Sequence, residues 1–137
     1  MTPITSLPQL SSLFDQLKGH LDLALTKAPE YETTDVLDEV IRGKSTLWYI
    51  RDPQDTVVGI VTTQLKQYPQ KTIGLIHLLG GTDIHKWVHT IKTLETWATA
   101  NGCESMEIQG RRGWLKLLPD YKEQRVFMTK QLSKGEL

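Results

Sequence analysis

The sequence predicts an α+β protein with one mixed sheet of about five or six strands and helices on both faces. Residues 46–51, 56–65 and 72–79 are short runs rich in branched and aromatic side chains, separated by turn residues, which predicts an antiparallel meander. A helical pattern at 83–100 and a further strand at 105–109 follow. Because parallel neighbours need a connection of about this length, the order predicts a right-handed βαβ crossover.

Two helices are expected ahead of the sheet. Leucines and a phenylalanine recur at helical spacing between residues 9 and 26, which predicts an amphipathic helix with its apolar row on the core. Thr33 or Thr34 is expected to cap a second, shorter helix, because a threonine hydroxyl can accept a hydrogen bond from the first free N–H groups. Gly43 is expected to end that helix.

The strand at 72–79 is expected to be central, since it is apolar on both alternating sets of positions and therefore covered on both faces. Gly80 and Gly81 are expected to break it, because paired glycines remove side chains and permit positive φ. Thr82 and Asp83 would then cap one long helix whose first free N–H groups lie beyond the carboxyl end of the strand, where open α/β sheets tend to bind ligands.

The end of the chain predicts two further elements. Residues 114–118 form a short basic helix closed by Pro119, and residues 125–132 are expected to form a last strand with Val126 and Met128 on one face. The remaining tail is polar. The whole chain of 137 residues is expected to be a single domain.

Composition excludes several classes of function. Sixteen basic and sixteen acidic residues give a formal net charge of zero, which disfavours nucleic-acid binding through bulk charge. The one cysteine, Cys103, cannot form an intramolecular disulfide and is interpreted as a small apolar residue. Since the chain lacks an apolar run long enough for a bilayer and a signal-like start, we expect no membrane association and no secretion.

Several segments together resemble the GNAT superfamily of N-acetyltransferases, and within it a small branch from tailed phages and prophages. The resemblance covers nearly the whole chain and is carried by Leu47-Trp48, residues 59–63, Tyr68-Pro69, Gly80-Gly81 with Trp87, and Trp97-Ala98-x-x-x-Gly102-Cys103-x-x-Met106-Glu107-x-x-Gly110-Arg111-x-Gly113-Trp114. The resemblance implies a fold in which two parallel strands separate and admit the pantetheine arm of acetyl-CoA, with the pyrophosphate on N–H groups at the start of the crossover helix.

The resemblance also assigns a cofactor site and shows where this chain departs from the family. The cofactor-binding residues it implies are Leu78, Leu79, Gly80, Gly81, Thr82, Arg111 and Arg112. His77 replaces the polar residue that heads the family's loop, and Thr82 replaces its final small residue. The family's usual leaving-group acid is a tyrosine five residues before an aromatic. With Tyr121 as that aromatic, the position is Lys116.

Two side chains are candidates for catalysis. His77 could act as a general base toward an amine because the unperturbed pKa of histidine lies near neutrality, although a hydrogen-bonded structural histidine fits the same pattern. Glu107 lies on the opposite face of its strand from Met106 and Ile108, and either a base or a solvent-facing carboxylate would explain it. His85 and His89 are four residues apart on one helix, but no third ligand has suitable spacing, so no metal site is predicted.

The basic cluster around Arg111 and Arg112, with Lys116, could meet CoA phosphates or an acidic partner, or could simply be a solvated turn. Trp114 either seals the core or anchors a partner protein. Three functions therefore remain: an acetyl-CoA-dependent N-acetyltransferase with an amine acceptor, a catalytically silent phage virion or assembly component that binds other phage proteins, and a CoA-binding or small-molecule-binding regulator without turnover. The first two place the protein in the host cytoplasm or in a phage virion.

Overall fold

The fold is known from a computed structural model that describes residues 1–110 and 112–133, so Arg111 and residues 134–137 lie outside the described part. The described sheet has strands β1 (Thr2–Pro3), β2 (Thr46–Arg51), β3 (Val57–Gln67), β4 (Thr72–Gly81) and β5 (Ser105–Ile108), in that spatial order. All neighbours are antiparallel except β4 and β5, which are parallel. The predicted α+β mixed sheet with one parallel crossover is confirmed.

Helices cover both faces of this sheet. They are α1 (Leu7–Leu25), α2 (Thr33–Ile41), α3 (Ile84–Trp87), a 3-10 helix (Val88–Thr90), α4 (Ile91–Ala100) and α5 (Trp114–Leu117). One apolar core lies between α1, α2 and the sheet, and it includes Leu17, Leu21, Ile60 and Leu78. The second lies between the crossover helices and the opposite face, and it includes Trp48, Ile76 and Leu94.

The first helix begins and packs as its sequence indicates. The Ser6 hydroxyl accepts a hydrogen bond from the Gln9 N–H at 3.3 Å and so caps the first turn. The leucine row is buried, with Leu17 and Leu21 each only 1% exposed. Burial of such a side chain contributes roughly 1.5–3 kcal/mol, so this row is the main attachment of α1 to the sheet.

The second helix differs from the prediction at its start. Its N-cap is Glu32, whose N–H donates to the Asp35 carboxylate at 2.8 Å, while Thr33 and Thr34 lie within the first turn. The helix is followed by Gly43 with φ of +77°, as expected for a terminating glycine. Asp35 lies in the first turn, where its negative charge also interacts favourably with the helix dipole.

The glycine pair does not break the central strand, because β4 continues through Gly81. Both glycines instead permit close packing on opposite faces. A side chain at Gly80 would collide with the His20 carbonyl of α1. A Cβ at Gly81 would lie 2.9 Å from the Trp87 ring on the other face. The paired glycines therefore indicate close packing on both faces of β4, and the predicted break in the strand is wrong.

The crossover is also not one helix. Trp87 has φ of −127° and ψ of 2°, which separates α3 from the following 3-10 helix and α4. Its indole N–H donates to the Thr82 carbonyl at 2.9 Å, and the Thr90 hydroxyl donates to the Trp87 carbonyl at 2.6 Å. These bonds hold the indole against the sheet and take the place of regular helical hydrogen bonds.

The expected last strand is absent from the described residues. Residues 121–133 form neither helix nor strand. The segment is attached at its start, where the Tyr121 hydroxyl donates to the Glu95 carboxylate of α4 at 2.8 Å. Beyond that point Val126 and Met128 are 64% and 89% exposed, so no apolar face formed by the described residues covers them.

Candidate functional site

A β-bulge in β4 marks the candidate site. Across β3 and β4, Thr62 lies opposite Leu78 whereas Thr63 lies opposite Ile76, so His77 is the extra residue. The Leu78 N–H at this point donates to the Thr62 hydroxyl at 3.1 Å. Bulges bend a strand and locally increase its twist. The bend in β4 is therefore centred on His77 and held by a buried threonine.

The two parallel strands pair only up to the bulge. Pairing runs from Ile73 with Ser105 to Ile76 with Ile108, and β5 ends there. Among the described residues, no strand pairs with the β5 side of β4 from His77 to Gly81. We call this open edge, together with the end of β5, the strand wedge.

Main-chain donors line the strand wedge. The Leu78 and Thr82 N–H groups point toward β3, since they donate to the Thr62 hydroxyl and to the Val58 carbonyl at 2.9 Å. Main-chain groups alternate in direction along a strand, so the Leu79 and Gly81 N–H groups point into the wedge. An extended amide chain laid along this edge would find donors at strand spacing.

His77 lies one residue beyond the last pair that β4 forms with β5. Its half-buried ring contacts Tyr31, with ring centroids 4.9 Å apart and an interplanar angle of 75°. Burial lowers the pKa of His77 most, and the charge of Lys66 lowers it further, while Glu39 and Glu30 act in the opposite direction. The net pKa is below the ordinary value of 6.5, so the imidazole is neutral at neutral pH.

A polar cluster on α2 and β3 lies on the same side of the sheet. The Glu39 carboxylate accepts hydrogen bonds from the Ser45 hydroxyl at 3.0 Å and the Gln64 amide at 3.1 Å. The Gln64 amide also contacts the Ser45 hydroxyl at 3.0 Å. Glu39 acts electrostatically on His77, which places a fixed negative charge near the imidazole.

Glu107, the second catalytic candidate, pairs with Leu75 on β4, so it lies in register two residues ahead of His77. Its neighbours Met106 and Ile108 pack into the core beneath α4. Glu107 therefore projects to the opposite face of β5 and is half-buried. The structure brings His77, but not Glu107, to the apex of the strand wedge.

The segment that was predicted to bind the pyrophosphate, residues 78–82, already makes contacts with other parts of the protein. Thr82 donates its N–H to Val58, and Gly80 packs under α1. Asp83 occupies the N-cap position of α3 with φ of +50°, and its side chain makes no capping hydrogen bond. Its carboxylate lies 3.8 Å from the Lys86 ammonium, which only partly offsets the negative charge at the mouth of the wedge.

The basic cluster is described only in part. Arg111 lies outside the described residues, and Arg112 is bound to Glu123, with Nη2 and Oε1 3.1 Å apart. Trp114 is half-buried against Gly110, where an added Cβ would lie 2.8 Å from the indole. Lys116, which the resemblance aligned with a catalytic tyrosine, is exposed.

The remaining sequence candidates lie away from the wedge. His85 and His89 are exposed, and burial raises the pKa of the Cys103 thiol, which reduces its reactivity. Within residues 1–110 and 112–133, no three His, Cys, Asp or Glu side chains are grouped in a way that could hold a metal ion. In the same residues, no helix is both long and apolar enough to span a bilayer.

Sequence reasoning missed three residues that shape the site. Thr62 accepts a hydrogen bond at the bulge, Tyr31 contacts the His77 ring edge-on, and Glu39 places a negative charge nearby. Thr62 and Tyr31 each contact a residue far away in the sequence, and no short motif contains such a pair. The buried run of two threonines within an otherwise apolar strand was the only available signal, since buried hydroxyls need partners.

Solved acetyltransferases share this fold. One structure, described as a probable acetyltransferase, aligns with a TM-score of 0.68 over 99% of this chain and 99% of its own at 11% identity. An acetyltransferase of Trypanosoma brucei gives 0.62 over 86% of this chain and 94% of its own at 15% identity. An aminoglycoside acetyltransferase from an uncultured soil metagenomic sample, in complex with sisomicin, gives 0.60 over 88% of each chain at 17% identity.

No protein-family model and no curated protein matches the sequence. The likeness to the solved structures extends over most of each chain but at low identity, so it concerns the path of the backbone. The mixed sheet, the parallel β4–β5 pair and the helices on both faces follow that path. The chain has the fold of the GNAT acetyltransferases.

Proposed function

We propose that this chain is an N-acetyltransferase that takes its acetyl group from acetyl-CoA. The observation that carries the proposal is the strand wedge. The pairing of the parallel strands ends at a bulge, which leaves the Leu79 and Gly81 N–H groups on an open edge and the half-buried His77 next to the last pair. The shared fold of the solved acetyltransferases supports the same function.

The wedge fits one part of acetyl-CoA better than the other. The amide-bearing arm suits a strand edge, where the main-chain N–H groups of Leu79 and Gly81 would hold it by hydrogen bonds. The pyrophosphate end meets the Asp83 carboxylate, a cost of about 1 kcal/mol or more at an effective dielectric near 20. We therefore expect binding that is weakened by Asp83. When bound, acetyl-CoA supplies a thioester carbonyl open to attack by an amine.

His77 has the protonation state that this reaction needs. An acceptor amine is an ammonium ion at neutral pH and must lose a proton before it can attack a carbonyl. The neutral imidazole can accept that proton, and burial keeps it neutral by lowering its pKa. The edge contact with Tyr31 at 4.9 Å orients the ring. His77 is thus the catalytic residue of the proposal, acting as general base.

The charges near His77 indicate the acceptor. Glu39 and Glu30 both act on the imidazole, and Lys66 opposes them. Two carboxylates against one ammonium favour a cationic ligand on the α2 face of the sheet. The proposed acceptor is therefore a primary amine that approaches between α2 and β4, while the acyl donor occupies the other side of the bulge.

Cofactor binding is the first test. Acetyl-CoA at about one hundred times its dissociation constant should stabilise the fold by about 2.7 kcal/mol, measured as a rise in melting temperature. Asp83→Asn should increase the shift at a fixed concentration because it removes the negative charge beside the pyrophosphate. An unchanged melting temperature at millimolar acetyl-CoA in both proteins would overturn the donor assignment.

Turnover is the second test. Release of free CoA thiol would be followed with a panel of primary amines. His77→Gln should lower kcat by about 10²–10⁴-fold while leaving the acetyl-CoA thermal shift intact. His89→Gln changes an exposed histidine in the same way and should leave kcat unchanged. Equal rates for the two variants would show that His77 is not the base.

A catalytically silent, protein-binding role is the alternative, and a different observation favours it. The C-terminal segment exposes Phe127 at 83% and Met128 at 89%, as a binding element would. Assignment to a phage or prophage branch, and phage virion or assembly proteins as partners, stay predictions from the sequence alone. Copurification with a multimeric phage protein, without CoA release, would favour this alternative.

A further inference from the structure

The Glu39 carboxylate has one oxygen that the fold uses and one that it does not. Its Oε2 accepts hydrogen bonds from the Ser45 hydroxyl at 3.0 Å and from the Gln64 amide at 3.1 Å. Within residues 1–110 and 112–133, Oε1 accepts no hydrogen bond, and no fully buried side-chain oxygen lacks a partner, so Oε1 reaches solvent. Two donors thus hold the carboxylate in place and leave Oε1 open to a ligand.

The strand register places this carboxylate near the proposed base. Gln64 of β3 pairs with Leu75 of β4, and His77 lies two residues further along β4. Two residues span about 7 Å of strand. Lys66 lies two residues from Gln64 in the opposite direction, away from His77. A ligand that extends from His77 along the strand therefore meets the Glu39 carboxylate before the Lys66 ammonium.

Glu39 differs in burial from the other carboxylates of this region. It is half-buried, whereas Glu30, which also acts on the charge of His77, is exposed. Asp38, the neighbour of Glu39 on α2, is exposed and forms an ion pair with Arg42 at 3.0 Å. Because solvent and salt screen a partly buried charge less than an exposed one, Glu39 is the carboxylate whose charge acts most strongly on a ligand here.

The amine that reacts does not account for this carboxylate. In the proposed function that amine gives its proton to His77 and attacks the thioester as a neutral group. Glu39 raises the pKa of His77, which works against the neutral imidazole that a base requires. A carboxylate binds an ionised donor more strongly than a neutral one. The ligand that fits Oε1 is therefore a cation that keeps its proton throughout the reaction.

We propose that Glu39 is the specificity-determining residue of the acceptor site, and that its Oε1 binds the second ammonium of a short diamine whose first amine reacts at His77. The distance of about 7 Å along the strand is one that a short alkyl chain spans. An ammonium group has three N–H donors, of which one is enough for Oε1. This inference rests on the proposed acetyltransferase function and names its substrate class.

Acceptor selectivity is the first test. The substrates are 1,5-diaminopentane and 5-amino-1-pentanol, which share a chain length and differ in the second group. The native chain should show a kcat/KM at least about tenfold higher for the diamine, because a hydrogen bond to a charged group is stronger than one between neutral groups. Glu39→Gln should lower the value for the diamine to that for the amino alcohol. The loss should lie mainly in KM, since the second ammonium is bound alike before and during the reaction.

The variants separate recognition of a cation from a structural defect. In Glu39→Gln an amide oxygen remains to accept from Ser45 and Gln64, so the fold is kept. Asp38→Asn makes the same change of charge on the same helix and should keep the preference for the diamine. If the native chain uses both substrates equally, or if Glu39→Gln slows both by the same factor, Glu39 does not select the acceptor and the proposal is overturned.

Binding without turnover is the second test. 1,5-Diaminopentane would be titrated calorimetrically into the protein with CoA in place of acetyl-CoA, so that no transfer takes place. The dissociation constant should rise by at least about tenfold in Glu39→Gln and stay unchanged in Asp38→Asn. This result, together with no CoA release from any amine, would support the cation site and show that the acetyltransferase assignment is wrong. No diamine binding by the native chain up to millimolar concentration would overturn the inference.

Discussion

At the scale of single residues, Trp87 shows how two glycines without side chains create space for a large aromatic ring. The indole lies over β3 and β4 where both strands lack a side chain, with hypothetical Cβ atoms at Gly59 and Gly81 only 2.6 and 2.9 Å from its ring. Trp87 is 4% exposed, and its N–H is satisfied by the Thr82 carbonyl. The position of the Trp87 ring therefore requires glycine at both sites. The start of α3 depends on this packing of Gly59, Gly81 and Trp87.

Gly59→Ala tests this packing. The new methyl group would overlap a rigid, buried ring, so the free energy of unfolding should fall by about 1–3 kcal/mol in urea denaturation. Gly19→Ala is the matched control, since nothing lies within 4 Å of its added Cβ in the helix α1. That substitution should stabilise by about 0.5–1 kcal/mol. Equal effects of the two substitutions would contradict the packing account.

The lowered pKa of His77 makes stability depend on pH with a defined sign. Burial makes the imidazole harder to protonate in the folded chain than in the unfolded chain, whose value is near 6.5. As the pH falls below about 6.5, the unfolded chain binds the proton first, so the free energy of unfolding decreases. The decrease ends once the pH is below the folded-state pKa. Above pH 6.5 this group has no effect.

Paired urea titrations of the native chain and His77→Gln isolate this effect, because the other histidines are common to both. The native chain should lose stability relative to the variant between pH 7 and pH 5. Charges facing His77 are Glu39 and Glu30, which oppose the shift, and Lys66, which adds to it. Glu39→Gln should accordingly enlarge the loss. A difference that is constant with pH would show that His77 is not desolvated.

At the scale of elements, the bulge in β4 depends on one hydroxyl. Thr62 is buried, and its hydroxyl accepts the Leu78 N–H at 3.1 Å where backbone pairing is interrupted. Without an acceptor this buried N–H would cost about 1–3 kcal/mol. The bend that opens the strand wedge is thus stabilised from β3, on the side away from the ligand edge.

Replacement of Thr62 by valine and by serine separates hydrogen bonding from apolar burial. Valine keeps the shape and removes the acceptor, while serine keeps the acceptor and loses one methyl group, worth about 1 kcal/mol. We expect Thr62→Val to be the less stable variant, with faster hydrogen exchange at the Leu78 amide. If Thr62→Ser were less stable than Thr62→Val, apolar burial alone would explain why a threonine is found at this position.

Elements could be predicted where local pattern and tertiary packing agree. The leucine row of α1 and the β2–β3 hairpin follow from periodicity, and both were predicted with nearly their observed bounds. Gly80 and Gly81 were misread because a glycine that permits close packing looks in sequence like one that ends a strand. His77 could be identified as a candidate from its apolar flanks, but Thr62 and Tyr31 could not, because their contacts link distant parts of the chain.

At the scale of the whole molecule, local pattern and tertiary structure disagree in the C-terminal segment. The branched and aromatic residues at 125–132 predicted a last strand, whereas residues 121–133 form neither helix nor strand. Composition sets strand propensity, but a strand forms only where a neighbour accepts its main-chain hydrogen bonds. The prediction of a last strand is therefore wrong for the described residues.

Limited trypsin digestion should report the exposure of the C-terminal segment. Arg125 and Lys130 are exposed and lie outside any helix or strand, so the native chain should be cut there first. Lys66 lies within β3 and serves as the internal reference, since cleavage there needs the sheet to open. Both sites should be cut at equal rates in a chain unfolded by urea. Resistance of Arg125 and Lys130 in the native chain would mean that the segment is covered in solution.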